Sequence, residues 1–483
     1  MKILNLKTFF VTVGLVLFLI SSINAQDIDD GIDAVKRGNY VLGLEILKKY
    51  VKDDDSYDAN YYYGKALFET GSLKEAEKYF NIALKDDDSG VEALKGLGDI
   101  YSEQKNYDKA NTYYEKALKE DEENVSVLLS QGINYSRSGD VEKAVFILTR
   151  AMSLDDKNPA VFVALGNAYY FGQALPAAIE NYKKALQLSN NKSAAAYYGL
   201  GNVYFRQRKF DDALTSFQES IKIDENFAES YFMIGRILFL SEQYASAAEA
   251  FKKYSQLKPG TQTGNSYFAR TKYALGDLQE AERLLNEVLK VDPNNALAFK
   301  YLGYIEIDKK NYDKALEYFS KVSEDNFETE DYIKLAKIYS EKGDQTKAFQ
   351  LMDEAKKRDP ENPDLYFELG VMQFNAKQYD DALVSFNKNQ SIAGKSDATQ
   401  VYKGLIMYTQ EKYDDAIAEF EEAIRINDTF TFSYLWLANA YLAKDNKEKA
   451  LENYEKVLQL DPTNEEAAAQ VEKLKNLVNG TGQ

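Results

Sequence analysis

Residues 97–117 read LGDIYSEQKNYDKANTYYEKA, and this stretch contains the pattern that decides the fold. Gly98 is followed after twelve residues by a second small residue, Ala110, and after four more by the aromatic Tyr114. The spacing of four places Ala110 and Tyr114 on one face of a helix. The stretch therefore predicts a pair of antiparallel helices that pack through small side chains.

The same pattern recurs along the whole chain. The first small residue returns every 33 to 35 residues, at Gly31, Gly64, Gly98, Gly132, Gly166, Gly201, Gly235, Ala269, Gly303, Ala336, Gly370, Gly404 and Ala438. Twelve residues after each stands the second, Gly43 and then alanine at 76, 110, 144, 178, 213, 247, 281, 315, 348, 382, 416 and 450. Two series that keep one phase indicate a tandem repeat.

Large side chains keep the same phase. Four residues after the second small residue stand Phe80, Tyr114, Tyr182, Phe217, Phe251, Phe319, Phe386, Phe420 and Tyr454. A glycine inside a helix costs about 1 kcal/mol relative to alanine, so its regular return needs a packing reason. We expect the two helices of each unit to approach closely at the small residues, with the aromatic ring filling the space beside them.

This motif resembles the tetratricopeptide repeat, on the residues Leu97-Gly98-Asp99-Ile100-Tyr101 followed by Tyr107, Ala110, Tyr114 and Ala117. The resemblance covers residues 27–463, although the signature tryptophan is missing and the first unit is degenerate at Gly43 and Leu47. It implies an all-α fold, a right-handed superhelical solenoid of about thirteen helix pairs. A C-terminal capping helix is expected over residues 465–478, with Ala467, Ala468, Val471, Leu474 and Leu477 on its apolar face.

The ends of the chain complete the predicted organisation. Lys2 and Lys7 precede an apolar run, Phe9 to Ile20, which is typical of a cleavable signal peptide over residues 1–25 with cleavage after Ala25. Residues 26–463 are then the array, and residues 464–483 the capping helix and a tail. We expect a secreted or periplasmic protein that does not span the membrane.

Three segments depart from the regular spacing. The repeat that contains Ser189–Asn191 is one residue longer than its neighbours, and the repeat around residues 325–329 is one residue shorter. Pro259–Gly264 is rich in turn-forming residues, and we favour a longer loop in one continuous array because the repeat phase continues across it. A bend or a boundary between two sub-arrays is the alternative.

Composition excludes most catalytic chemistry. The chain has no cysteine and no histidine, and its formal net charge is −18. We therefore predict a non-enzymatic protein with no catalytic residues, no cofactor and no metal site. The aspartate triplets 53–55 and 86–88 lack the ligand pattern of a calcium loop and are interpreted as solvated linkers. The acidic balance also disfavours a nucleic-acid partner.

The remaining candidate surface is the inner wall of the predicted solenoid. Aromatic residues four places after the first small residue predict a stacked ladder, and polar and aromatic residues beside them form stripes on the same helices. The candidate binding residues are Asn167, Tyr170, Tyr198, Asn202, Phe205, Phe232, Arg236, Phe239, Arg270 and Tyr273. Arginine can bind a carboxylate through two hydrogen bonds, and asparagine can bind a peptide backbone.

Two interpretations of these residues stay open, because regularly spaced aromatic residues also serve simply to pack neighbouring helices. We favour a scaffold or adaptor in the cell envelope that binds a protein or peptide segment in this groove. The alternatives are a structural spacer or self-assembling element of the envelope, and an accessory or regulatory subunit of an envelope enzyme. Fold resemblance alone names neither the partner nor the oligomeric state.

Overall fold

The computed structural model describes residues 28–52 and 56–478. Within these residues the regular structure is entirely helical, with 27 α-helices and one 3₁₀ helix, Glu324–Asn326. The helices are α1 (28–36), α2 (Tyr40–Leu47), α3 (Tyr57–Glu69), α4 (Leu73–Asp86), α5 (Val91–Glu103), α6 (Tyr107–Glu120), α7 (Val125–Ser138), α8 (Val141–Leu154), α9 (Pro159–Phe171), α10 (Leu175–Leu188), α11 (Ala194–Arg206), α12 (Phe210–Ile223), α13 (Ala228–Leu240), α14 (Tyr244–Leu257), α15 (Gln262–Ala274), α16 (Leu278–Val291), α17 (Ala296–Asp308), α18 (Tyr312–Phe319), α19 (Thr329–Glu341), α20 (Gln345–Arg358), α21 (Pro363–Asn375), α22 (Tyr379–Ala393), α23 (Asp397–Thr409), α24 (Tyr413–Ile426), α25 (Thr431–Ala443), α26 (Lys447–Leu460) and α27 (Glu465–Val478).

The predicted helix-pair architecture is confirmed. Odd-numbered helices from α1 to α25 carry the first small residue of each repeat, and even-numbered helices carry the second. Consecutive helices pack as hairpins, for example α9 with α10 and α11 with α12. The predicted signal peptide and tail, residues 1–25 and 479–483, lie outside the described residues.

The described residues divide into two compact units, one up to Gly264 and one from Asn265 onward, called here the first unit and the second unit. The division falls at the end of Pro259–Gly264, the segment in which the sequence allows either a longer loop or a boundary between two sub-arrays. Helix α15 begins at Gln262, within this segment.

Most glycines of the odd helices lie directly against rings of the even helices, as predicted. A Cβ atom added to Gly98 would lie 2.4 Å from Cε1 of Tyr114. The same contact recurs between Gly166 and Tyr182, at 2.5 Å. Since Tyr114 is 1% exposed, its ring has no open space to move into. Alanine replaces glycine in three repeats: Ala269 and Ala336 occur with the aliphatic residues Leu285 and Met352 at the ring position, whereas Ala438 occurs with Tyr454.

We expect Gly98→Ala to destabilise the first unit. Overpacking a core costs about 1–3 kcal/mol, which outweighs the gain of roughly 1 kcal/mol in helix propensity. The double variant Gly98→Ala with Tyr114→Leu reproduces the pairing that Ala269 and Leu285 use naturally. Urea unfolding followed by circular dichroism should therefore show a favourable coupling of about 1 kcal/mol in the double-mutant cycle. Additive single effects would contradict a direct contact.

The predicted capping helix is α27. It packs against the last core cluster of the second unit through Ala467, Val471 and Leu474, which are all buried. The prediction of its apolar face is wrong for one residue. Ala468 is exposed, because it lies one residue beyond Ala467 and therefore about 100° farther round the helix. The side chain of Leu477 lies outside the described residues.

The shortened repeat contains a buried ionic network. Lys300 Nζ lies 2.9 Å from Asp331 Oδ2, and both side chains are almost fully buried. The hydroxyl of Tyr304 donates to Asp331 Oδ1 at 2.5 Å. The backbone N–H of Glu328 donates to Asp331 Oδ2 at 2.7 Å, which caps helix α19. Burial, followed by the Asp331 charge, raises the pKa of Tyr304.

Candidate protein-binding site

The candidate site is a cleft of about 1470 Å³ in the first unit, lined mainly by the odd helices α7, α9, α11 and α13. Ligand-binding clefts of proteins typically have volumes of about 300–1,000 Å³. This cleft is therefore large enough to accept a ligand segment. It is called here the first-unit cleft.

Seven of the ten residues predicted from the sequence line this cleft. They are Asn167, Tyr170, Tyr198, Asn202, Phe205, Phe232 and Arg236. The regular spacing brings them together because equivalent positions of successive odd helices face the same side of the array.

The other three predicted residues have different surroundings. Phe239 is absent from the described lining of the cleft, and its ring lies 5.4 Å from that of Tyr244, edge to face. Arg270 and Tyr273 belong to the second unit. There Arg270 Nε donates to the hydroxyl of Tyr301 at 3.1 Å, and the Tyr273 ring lies 5.5 Å from the Tyr301 ring.

The predicted stacking of aromatic rings on one another is wrong for the described part of the cleft. Arginine lies on the rings instead: the Arg206 guanidinium carbon is 5.5 Å from the centre of the Tyr170 ring, and that of Arg236 is 4.9 Å from the Phe205 ring. Phe205 itself packs edge to face on Phe210, at the start of the next helix. Two of the ladder residues, Phe205 and Phe239, instead meet the ring five places later across the turn of their own hairpins.

Some aromatic rings both pack against neighbouring rings and line the cleft. Tyr198 lies 5.7 Å from Phe217 and 5.3 Å from Phe227, while it also lines the cleft. Burial raises the pKa of Tyr198, and the hydrogen bond with Asn202 offsets part of that rise. Phe232 likewise lies 5.2 Å from Tyr254. The two interpretations that the sequence left open therefore do not exclude each other.

The asparagines of the cleft differ in what they bind. The hydroxyl of Tyr182 donates to Oδ1 of Asn167 at 2.7 Å, and Tyr114 donates in the same way to Asp99. Asn167 thus holds the ring that covers the glycine of its own repeat. In the repeat of Asn202 the equivalent ring is Phe217, which has no hydroxyl. Asn202 instead hydrogen-bonds with Tyr198 of its own helix, so the two asparagines hold different tyrosines.

Three arginines of the cleft were missed by the sequence analysis. Arg137, Arg206 and Arg208 line it together with Arg236. Arg137 forms an ion pair with Glu103 at 2.7 Å, and Arg206 donates to the backbone oxygen of Tyr170 at 3.2 Å. Arg137 and Arg206 both stand five residues after the first small residue of their repeats, a regularity that could have revealed them.

The cleft is therefore basic, although the chain is acidic. Glu229 is the one carboxylate in the described lining, and it is paired with Lys258. This hydrogen bond raises the pKa of Lys258. Smaller clefts of about 310 and 300 Å³ instead combine lysines with two or more carboxylates, such as Lys65 with Glu69 and Lys334 with Glu330.

The aspartate triplet 86–88 lies within the described residues, so its predicted role as a solvated linker can be compared with the structure. Asp86 Oδ2 accepts the backbone N–H of Tyr57 at 2.8 Å, and Asp87 Oδ1 accepts that of Ser89 at 3.1 Å. These carboxylates hold the connection between α4 and α5 in place. The triplet 53–55 lies outside the described residues.

Several family models match this chain. Models described as tetratricopeptide repeat or TPR repeat match residues 28–91, 91–124, 172–208, 194–227, 333–388 and 432–464. A further model, the TPR domain of cytochrome c-type biogenesis protein H, matches residues 224–329. Together the matches cover well over half of the chain. The chain belongs to the tetratricopeptide-repeat family.

Two curated proteins are similar to part of this tetratricopeptide chain. A TPR repeat-containing protein of Methanocaldococcus jannaschii is 25% identical over 287 residues, which cover 47% of this chain and 49% of that protein. The antiviral innate immune response effector IFIT1 of Homo sapiens is 24% identical over 237 residues, covering 47% of this chain and 46% of IFIT1. The chain thus spans about half the length of the curated relatives it matches.

Among solved structures, the APC/C hetero-tetramer Cut9–Hcn1 contains a chain similar to this one. The two share 15% identity, with 92% of this chain and 94% of that chain covered and a TM-score of 0.45.

Proposed function

We propose that this tetratricopeptide protein is an interaction scaffold of the cell envelope and that its first-unit cleft binds a segment of a partner protein. The tetratricopeptide fold is consistent with a protein-binding scaffold. The observation that supports a specific site is the cleft itself, in which half-buried rings and arginines line about 1470 Å³.

The side chains of the cleft are of the kinds that dominate the binding energy of protein interfaces. Aromatic residues and arginine are enriched among such residues, because they bury much area and lose little conformational entropy. Here the rings of Tyr198 and Phe232 are already held by packing against Phe227 and Tyr254. A partner segment would therefore meet preorganised rings, which lowers the entropic cost of binding.

Export is the second part of the proposal, and it rests on Lys2, Lys7 and the apolar run Phe9 to Ile20. Within residues 28–52 and 56–478, the structure contains no helix with the length and apolar character needed to cross a membrane. We expect the protein recovered from its cells to begin at Gln26, which amino-terminal sequencing would show. Recovery of intact Met1 from the cell envelope would contradict cleavage.

Site-specific crosslinking tests the binding function. A photo-crosslinking amino acid at Asn202, in the cleft, should trap a partner protein in living cells, whereas the same group at Lys183, exposed on α10, should not. The trapped species should be lost in the variant Phe232→Ala with Arg236→Ala, with unchanged helical circular dichroism. Phe239 and Arg270 are left unaltered, because they do not line the described cleft.

Equal labelling from Asn202 and Lys183, or survival of the trapped species in the cleft variant, would contradict the proposal. If neither position traps a partner and sedimentation shows concentration-dependent oligomers, a structural or self-assembling role would replace it.

A further inference from the structure

The charge of the first-unit cleft is opposite to that of the chain. The protein has 77 acidic and 59 basic residues. Of its ten arginines, Arg137, Arg206, Arg208 and Arg236 lie in this one cleft. The carboxylate of Glu229 is paired with Lys258, and Arg137 is paired with Glu103. A local excess of arginine on an acidic protein concentrates positive potential where a ligand would lie.

We propose that the segment bound in the first-unit cleft is acidic, with glutamate or aspartate side chains interleaved with apolar ones. This inference rests on the proposed function, since it names the chemistry of the partner at the same site. Arginine forms charge-assisted hydrogen bonds with carboxylates, often two at once.

Two arginines of the cleft lie over its aromatic rings. Arg206 lies over Tyr170, and Arg236 lies over both Phe205 and Phe232, at 4.9 and 5.8 Å from their ring centres. A cation that lies over the face of an aromatic ring is attracted by the ring, and Arg206 also donates to the backbone oxygen of Tyr170 at 3.2 Å. These contacts restrict the positions of the guanidinium groups, so fewer degrees of freedom are lost when a carboxylate binds.

The apolar part of the partner follows from two other lining residues. Phe171 and Leu240 line the cleft, and their side chains are 57% and 60% exposed. Large apolar side chains left in water beside arginines favour a ligand that covers them. A uniformly charged segment would leave the side chains of Phe171 and Leu240 exposed to water, whereas apolar residues between the charges would bury them.

An acidic peptide fits this distribution better than a nucleic acid does. A long polyphosphate backbone carries charge along its whole length, so beyond the cleft it would run over the surface of a chain whose net charge is −18. A short acidic segment places its negative charge only among the arginines. The two kinds of ligand are distinguished directly by the experiment.

Fluorescence anisotropy of the purified full chain with matched synthetic peptides tests the inference. The first peptide alternates glutamate with phenylalanine, the second replaces each glutamate with glutamine, and the third replaces it with lysine. We expect the glutamate peptide to bind at least about tenfold more tightly than the glutamine peptide. Its affinity should fall as salt is raised, while that of the glutamine peptide should change little.

Two sets of variants separate the parts of the site. Arg206→Gln with Arg236→Gln should weaken the glutamate peptide by about tenfold or more and leave the glutamine peptide unchanged. Arg150→Gln is the matched control, because Arg150 lies in the same unit outside the described cleft and should leave both affinities unaltered. Phe171→Ala with Leu240→Ala should weaken both peptides equally.

The outcomes separate this inference from the proposed function. Equal affinity for all three peptides, lowered for each by Phe171→Ala with Leu240→Ala, would overturn the acidic preference and leave a peptide-binding cleft. Binding of none of the peptides would overturn the inference, while crosslinking from Asn202 would still decide whether a partner occupies the cleft. Tighter binding of oligodeoxythymidine than of the glutamate peptide, lost with the same arginines, would replace the acidic segment by a nucleic acid.

Discussion

Asp331→Ala is expected to lower the free energy of unfolding of the second unit by about 3–5 kcal/mol, because it breaks a buried ion pair by removing one partner. The side chain of Asp331 is fully buried and accepts from Lys300, Tyr304 and the backbone of Glu328. Its loss leaves the buried ammonium of Lys300 with only the carbonyl of Asn326 at 3.2 Å and the exposed carboxylate of Glu328 at 3.7 Å. It also removes the cap at the start of α19.

The intrinsic fluorescence of Trp436, the one tryptophan of the chain, reports on the second unit during urea unfolding. Its transition should move to lower urea in Asp331→Ala. Glu330→Ala is the matched control, because the neighbouring Glu330 is 62% exposed and pairs with Lys334. This control should change stability by less than about 1 kcal/mol. An equally small effect of Asp331→Ala would show that the network contributes nothing to folding.

Phe217→Ala is expected to destabilise the first unit by a similar amount, about 3–5 kcal/mol, through the lost transfer energy and the cavity left behind. Phe217 is fully buried. Its ring covers Gly201, where an added Cβ would lie 2.6 Å from Cε1, and it lies 5.7 Å from Tyr198 of the cleft. The cavity would thus open between the two helices of one hairpin and beneath the cleft wall.

Circular dichroism follows both units, so Phe217→Ala should bring forward the part of the helical transition that belongs to the first unit. The Trp436 transition serves as an internal reference and should stay in place. Phe146→Ala is the matched control in the same unit, because Phe146 is 70% exposed and its loss leaves no cavity. A loss of stability in Phe146→Ala equal to that in Phe217→Ala would contradict the packing explanation.

The two expected effects have different origins, and they differ in how visible they are in the sequence. Phe217 belongs to a series of rings that occupy the same position in nine of the thirteen repeats, so its burial follows from the spacing alone. Asp331 is one of many acidic residues and matches no repeat position that the sequence analysis identified. Its importance depends on Lys300, which lies in the preceding repeat.

The sequence by itself determined the helix pairs, their phase and their small-residue contacts, because each contact joins residues within a single hairpin. The ring of Tyr114 and the hydrogen atom of Gly98 meet through one short turn, and repetition gives the same result elsewhere. It also indicated most of the residues that line the first-unit cleft, since equivalent positions share a face.

Only the tertiary structure decided which chemistry meets in that cleft. The stacking of Arg206 on Tyr170 and of Arg236 on Phe205 joins neighbouring repeats, as does the pair of Lys300 and Asp331. The tertiary structure also decided that Tyr273 and Arg270 belong to the second unit. Periodicity states which side of a helix a residue occupies, but the distance between side chains of different repeats is set by how the hairpins pack.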